Sequence, residues 1–207
     1  ALGLIRILVE KNLPLAVPAL VDAGFAAFAE GLLGHATARD DLLHFIYERL
    51  SGSLREQGYS AQEVDAVLAL RPPQWGEIPK RLAAVRAFAA LPESPSLAAA
   101  NKRVANILKK SEEAPALLSA ALLQEPAERE LALALQTAAA QSDPLFEQGE
   151  LAASLQVLAV LKAPVDAFFD AVMVNADDPQ LRANRLALLR ALHGAMNRVA
   201  DLSRLAA

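Results

Sequence analysis

The sequence predicts an all-α fold, and three observations carry that prediction. Alanine and leucine dominate an apolar fraction of 54%, while aromatics make up only 5%, a mixture suited to helices packed closely through small side chains. Apolar residues recur at helical spacing, whereas no run alternates with period two and no Asn-Gly or Asp-Gly hairpin signal occurs. Prolines and glycines fall between the periodic runs, where they stop one helix and open the next. At 207 residues the chain is long enough for one large or two small helical domains with a sizeable core.

Taken in order, residues 2–11 and 15–30 read as two apolar helices split by Asn12-Leu13-Pro14, and residues 31–37 as a link. From Asp40 the pattern is regular, with Leu43, Ile46, Tyr47, Leu50 and Leu54 on one stripe. Gly58 is placed to end that helix in the left-handed conformation that glycine adopts cheaply. Ser60-Ala61-Gln62-Glu63 then has capping-box spacing, opening a short helix to about Leu70 that Pro72-Pro73 stops. A helix follows over 79–91, and another starts at Ser94-Pro95, a cap followed by a first-turn proline, and ends near Lys110. Further helices are expected over 113–124, 126–141, 145–162 and 164–174. Asp178-Pro179 opens the last one, where Leu181, Leu188, Leu192, Ala195, Val199 and Leu202 keep one face. No internal repeat of fixed period is present.

Composition also excludes. Without cysteine there is no disulfide and no thiolate metal site, which fits a reducing cytoplasm. The longest apolar runs are broken by charge or proline short of the roughly 20 residues of a membrane span. The opening residues lack a signal-peptide pattern and an initiator methionine and read as mid-helix, so a fragment of a longer chain is expected. His35, His44 and His193 are far apart and in no two-ligand helical motif, and neither a nucleophile elbow nor a glycine-rich phosphate loop occurs. Asp40-Asp41 and Asp177-Asp178 lie at helix starts, where carboxylates cap free amides and favour the positive end of the dipole. The expectation is a chain without a catalytic or metal site.

The net charge of −4 conceals an uneven distribution. Residues 71–110 hold eight bases against two acids, a net +6, which leaves −10 for the remainder. Within that segment Lys102, Arg103, Asn106, Lys109 and Lys110 fall on an arc of roughly 120° of one helix, opposite Val104, Ala105, Ile107 and Leu108. Cations suit phosphates and an amide suits base edges, so this face fits an RNA backbone with some base discrimination. Taken alone, such a stripe is more often a solvated helix face. Arg81 and Arg86 on the preceding helix add to it only where they point the same way. Trp75, beside Arg71 in a Pro-rich loop, is open to stacking on a base, although a lone tryptophan more often fills a core. The last helix also carries Arg182, Arg185, Arg190, Arg198 and Arg204, spread around its non-core side as ion-pairing residues spread.

Three stretches carry a family resemblance. Residues 41–68 (DLLHFIYERLSGSLREQGYSAQEVDAVL), 97–110 (LAAANKRVANILKK) and 164–204 (PVDAFFDAVMVNADDPQLRANRLALLRALHGAMNRVADLSR) resemble, in order and spacing, the anticodon-binding domain of bacterial glycyl-tRNA synthetase β subunits. The first two helices resemble the end of the HD-like region before that domain. The resemblance implies an all-α helical bundle of the DALR type over 36–207, preceded by trailing HD-like helices and a link over 1–35. It implies a module for the anticodon stem-loop of glycine tRNA, in the cytoplasm, with the rest of the β subunit and the α subunit of an α2β2 assembly as partners. ATP and Mg²⁺ then serve the whole enzyme and not this part, and no membrane is involved. Lys102, Arg103, Asn106, Lys109, Lys110, Arg81 and Arg86 become candidate RNA contacts. Asn184 and Arg185 become either a second contact or a structural pair. There is no literal Asp-Ala-Leu-Arg run, and Asn175 stands where the pattern is apolar. The competing reading is a helical scaffold that docks within the synthetase and touches RNA little.

Overall fold

A computed structural model describes residues 2–28, 37–111, 113 and 116–206. The chain forms two compact units, residues 1–83 and 84–207. Among the described residues the regular structure is helical, with one isolated bridge between Ala16 and Gln74.

In the first unit, α1 (Leu2–Glu10) and α2 (Val17–Ala26) pack on α3 (Ala38–Glu56), which also carries α4 (Ala61–Leu68). The predicted stripe supplies the contact face, since Leu43, Ile46, Leu50 and Leu54 are buried. Gly58 takes a φ of +91° where α3 ends. The capping box before α4 is complete: the Glu63 amide donates to Ser60 Oγ (3.1 Å), and the Ser60 amide donates to Glu63 Oε2 (2.7 Å). Gly76 lies where the turn after α1 crosses the Trp75 loop, and a Cβ there would sit 2.9 Å from Asn12 Cα, so no larger residue fits.

The domain boundary expected at 35/36 falls in a stretch outside the described residues, as do His35 and residues 29–30 of the helix expected over 15–30. The two compact contact units divide at 83/84. Contacts of α3 with α1 and α2, including the Arg39–Asp22 ion pair, tie residues 38–83 to the first two helices.

α5 (Ile78–Ala89) carries the chain across that division. The second unit is built from α6 (Ser94–Lys110), α7 (Pro126–Glu147), α8 (Leu151–Val157), α9 (Lys162–Ala171) and α10 (Pro179–Met196). α6 packs on α9, on α10 and on the C-terminal turn Leu202–Leu205, while α7 packs on α8, α9 and α10. Asp178 caps α10 by accepting from the Gln180 and Leu181 amides, as its Asp-Pro signal predicts.

The last expected helix stops at Met196, short of the Val199 and Leu202 placed on its face, and three others differ. The helix expected over 113–124 is absent from its described residues, which are extended apart from one turn at Ala120–Leu122. The reason is tertiary: Asn184 exchanges two hydrogen bonds with the Ser119 backbone (2.7 and 3.1 Å), and Glu128 accepts from the Gln124 amide (2.7 Å). These bonds hold the backbone groups that a helix would use itself. The helix expected over 126–141 runs through Pro144 to Glu147, and Gly149, at φ +77°, ends it. The one expected over 145–162 is split by that glycine and by a tighter turn at Leu158–Leu161. The continuous run Leu151–Ala171 is long and apolar enough, by composition, to cross a membrane. Its apolar stripe of Leu151, Leu155, Leu158, Leu161, Val165 and Phe168 is buried, as in the core helix of a bundle.

Candidate nucleic-acid interface

α6 is built to bury one side and expose the other. Leu97, Ala98, Ala100, Asn101 and Val104 are buried, whereas Lys102, Arg103, Asn106, Lys109 and Lys110 are exposed. The buried side includes a polar lock: the Asn101 amide donates to Asn197 Oδ1 (2.8 Å), and Asn197 Nδ2 donates back (3.1 Å). With its hydrogen bonds satisfied, that pair fixes the rotation of α6 about its axis and so the direction of the cationic face.

The exposed side is uncompensated. Lys102, Asn106, Lys109 and Lys110 have no ion-pair or hydrogen-bond partner among the described residues. Arg103 lays its guanidinium over the Phe169 ring at 4.1 Å. That contact steadies an exposed cation, and a guanidinium held so is available to a base. Phe169 is half-buried and packs edge-on against Phe168, which is fully buried.

At the C-terminal end of α6 the exposed face borders a cavity of about 630 Å³. Ile107 and Leu186 line it with apolar side chains, and Lys110, Ser111, Glu113, Asn175 and Arg182 with polar ones. Arg182 donates from Nε to Glu113 Oε1 (2.8 Å) and from Nη1 to the Ala176 carbonyl (2.8 Å). Arg190 donates to the Glu113 carbonyl (3.1 Å) and holds that backbone. Sequence reasoning missed Glu113 and Asn175, because the walls come from segments more than sixty residues apart with no motif to link them.

Asn184 and Arg185 are buried at 2% and 7% exposure. Besides the Asn184 clamp on Ser119, Arg185 donates from Nε to Glu128 Oε1 (2.6 Å) and from Nη1 to the Met173 carbonyl (2.8 Å). Glu128, fully buried in the first turn of α7, also accepts from the Gln124 and Glu125 amides at 2.7 Å each. The Asn184 and Arg185 side chains are therefore spent inside the fold and offer no surface to a ligand.

The remaining candidates are dispersed. Arg81 belongs to the first unit and pairs with Glu77 (3.1 Å). Arg86, exposed, belongs to the second. Five residues separate them, so they point about 140° apart around α5. Trp75 is fully buried, with the Tyr47 ring edge-on at 5.2 Å, and its ring is not available to a base. Of the late arginines, Arg198 pairs with Asp143 and Glu147, and Arg204 with Asp201, the ion-pairing role their spread predicts.

Comparison with known proteins adds an independent line. A family profile described as the DALR anticodon binding domain matches residues 97–202, and one described as glycyl-tRNA synthetase beta subunit matches residues 1–69. Among similar proteins, the glycine–tRNA ligase beta subunit of Leptothrix cholodnii is 65% identical over 208 residues, covering 100% of this chain and 29% of that protein. The same subunit of Thiobacillus denitrificans and that of Dechloromonas aromatica are each 60% identical, with the same coverage. The chain thus spans less than a third of the length of these relatives.

Proposed function

We propose, on the premise that the chain belongs to the DALR anticodon binding domain family, that it is the anticodon-binding part of a glycine–tRNA ligase β subunit and grips the anticodon stem-loop of glycine tRNA. The observation that carries this reading is the α6 face, where three lysines without a partner among the described residues, one ring-stacked arginine and one amide stand opposite a buried core stripe. Cations there hold the loop backbone by charge, Arg103 stacks, and Asn106 meets the edge of an unstacked base. Backbone charge supplies most of the affinity, and the amide and guanidinium groups supply discrimination.

In this reading the chain works in the cytoplasm as part of a larger enzyme that joins glycine to its tRNA with ATP and Mg²⁺, alongside the rest of the β subunit and the α subunit. The chemistry belongs to those other parts. No step is assigned to this chain beyond binding and orienting RNA.

The test is titration of glycine tRNA into the chain at two salt concentrations, beside a tRNA with an exchanged anticodon and a Lys102→Ala/Arg103→Ala variant. Tighter binding to the native anticodon, weakened in the variant and steeply salt-dependent, is expected. Equal or absent binding to both tRNAs would overturn it in favour of a scaffold docked within the synthetase. That second reading has one foothold, the mostly apolar groove of about 640 Å³ flanked by Leu133, Val160 and Pro164.

A further inference from the structure

The cavity at the end of α6 has a composition that the grip on the backbone does not explain. A phosphate pocket would hold cations and amides alone, yet here a carboxylate, Glu113, stands among Lys110, Arg182 and Asn175. A phosphate entering would meet like charge. A nucleobase would not, because a base edge carries N–H donors that a carboxylate accepts.

The lining suits a base better than other ligands of that size. It combines the apolar side chains of Ile107 and Leu186, which a planar ring can pack on, with the polar groups of Lys110, Ser111, Glu113, Asn175 and Arg182. Arg182 is fixed by its bonds to Glu113 and the Ala176 carbonyl, so its guanidinium is pre-positioned. Glu113 uses Oε1 for Arg182, while Oε2 takes no hydrogen bond from a described residue. The side chains of both are about 30% exposed, enough for a ligand to reach them. The exposed Asn175 amide is also without a partner among the described residues. On α6, Lys110 lies two turns beyond Arg103 on nearly the same side of the helix, and Ile107 borders that edge from the apolar side, so the cavity continues the edge on which Arg103 stacks over Phe169.

From this juxtaposition we infer that the cavity receives one unstacked nucleobase of the bound loop, and that the Glu113–Arg182 pair selects a base with an exocyclic amine beside a ring acceptor, as in cytosine or adenine. Glu113 accepts from the amine and Arg182 donates to the ring nitrogen. Uracil, with a carbonyl and an N–H in those places, mismatches both. The inference rests on the RNA-binding reading above, and its test separates the two.

The probe is a set of glycine-tRNA anticodon stem-loops in which each loop cytosine is replaced in turn by uracil, measured against the wild-type chain, Glu113→Gln and Asn175→Leu. Gln keeps an acceptor for Arg182 while adding a donor, and Leu at an exposed position narrows the cavity without touching the core. Wild type is expected to prefer cytosine about tenfold at one loop position, within the range of a single base-edge contact. Glu113→Gln removes that preference there and nowhere else, with binding of the uracil form unchanged. Asn175→Leu weakens every loop sharing that base while the salt dependence persists. Tight binding with all preferences intact in both variants overturns the cavity inference and leaves the grip standing. Absence of binding by the wild-type chain overturns both.

Discussion

The second unit holds two sets of polar residues on packed helices, and they have opposite fates. On α6, Lys102, Asn106, Lys109 and Lys110 face solvent with no partner among the described residues. Around the start of α7, Glu128, Asn184 and Arg185 are 0%, 2% and 7% exposed, and each makes two or more hydrogen bonds inside the protein. Residue type does not separate the sets, because an Asn-Arg pair on α10 resembles the Lys-Arg pair on α6. Accounting for partners does. A charge left unmatched at the surface costs the fold little and remains available to a ligand, whereas one buried with matched partners defines the fold and is unavailable.

The largest expected effect tests the buried set. Arg185→Ala strands the Glu128 carboxylate in the core, and loss of one member of a buried ion pair typically costs about 3–5 kcal/mol. Urea unfolding followed by circular dichroism should show that loss. A variant as stable as wild type that bound tRNA less well would instead move Arg185 to the interface. Asn184→Ala comes next, at about 1–3 kcal/mol, because it leaves both backbone groups of Ser119 without their side-chain partner. Faster amide exchange at residues 116–119, above that in the α7 core, would identify the segment as held by Asn184. Uniform protection would show that it is held by something else.

On the exposed set the same substitutions leave the fold nearly unaffected. Lys102→Ala, Lys109→Ala and Lys110→Ala should each change stability by less than about 0.5 kcal/mol. Each should lower the slope of log affinity against log salt by about one. A lysine whose removal leaves that slope intact is a solvated residue, and the contact arc narrows accordingly.

Legibility in the sequence follows the same division. Signals confined to one turn or one helix were readable: the Ser60–Glu63 box, the Asp178 cap and the one-sided cations of α6 all depend on spacings of a few residues. The bundle class and the core stripe of α3 were readable because 3.6-residue periodicity is local. The extended stretch before α7 was not, because Asn184, 65 residues from Ser119, holds it against its helical propensity. Pro144 misled in the other direction, since its place inside α7 broke nothing and Gly149 ended the helix instead. The cavity was hidden for a related reason. It depends on which segments pack, since Glu113 meets Arg182 across 69 residues.

A third cluster lies between these extremes and yields the smallest expected effect. Near the start of α6, Asp166 accepts from Lys162 Nζ (2.8 Å) and from Ser96 Oγ (3.0 Å), with the Asp166 and Lys162 side chains 42–43% exposed. The Lys162 hydrogen bond holds the Asp166 carboxyl below its ordinary value of 3.8; partial burial opposes that, and Ser96 adds to it. A carboxyl lowered by folding stabilises the protein above its unfolded pKa, and that stabilisation is lost as pH falls through the lower native value. Solvent screens the pair, so the contribution is well below that of Arg185. Asp166→Asn should therefore lower the urea midpoint slightly at pH 7, with the gap from wild type closing as pH falls below about 4. A gap independent of pH would assign the effect to hydrogen bonding and not to charge. An altered salt slope for tRNA in this variant would draw the cluster into the interface, where its negative charge would oppose the α6 lysines; an unchanged slope keeps it with the groups that hold α6 in place.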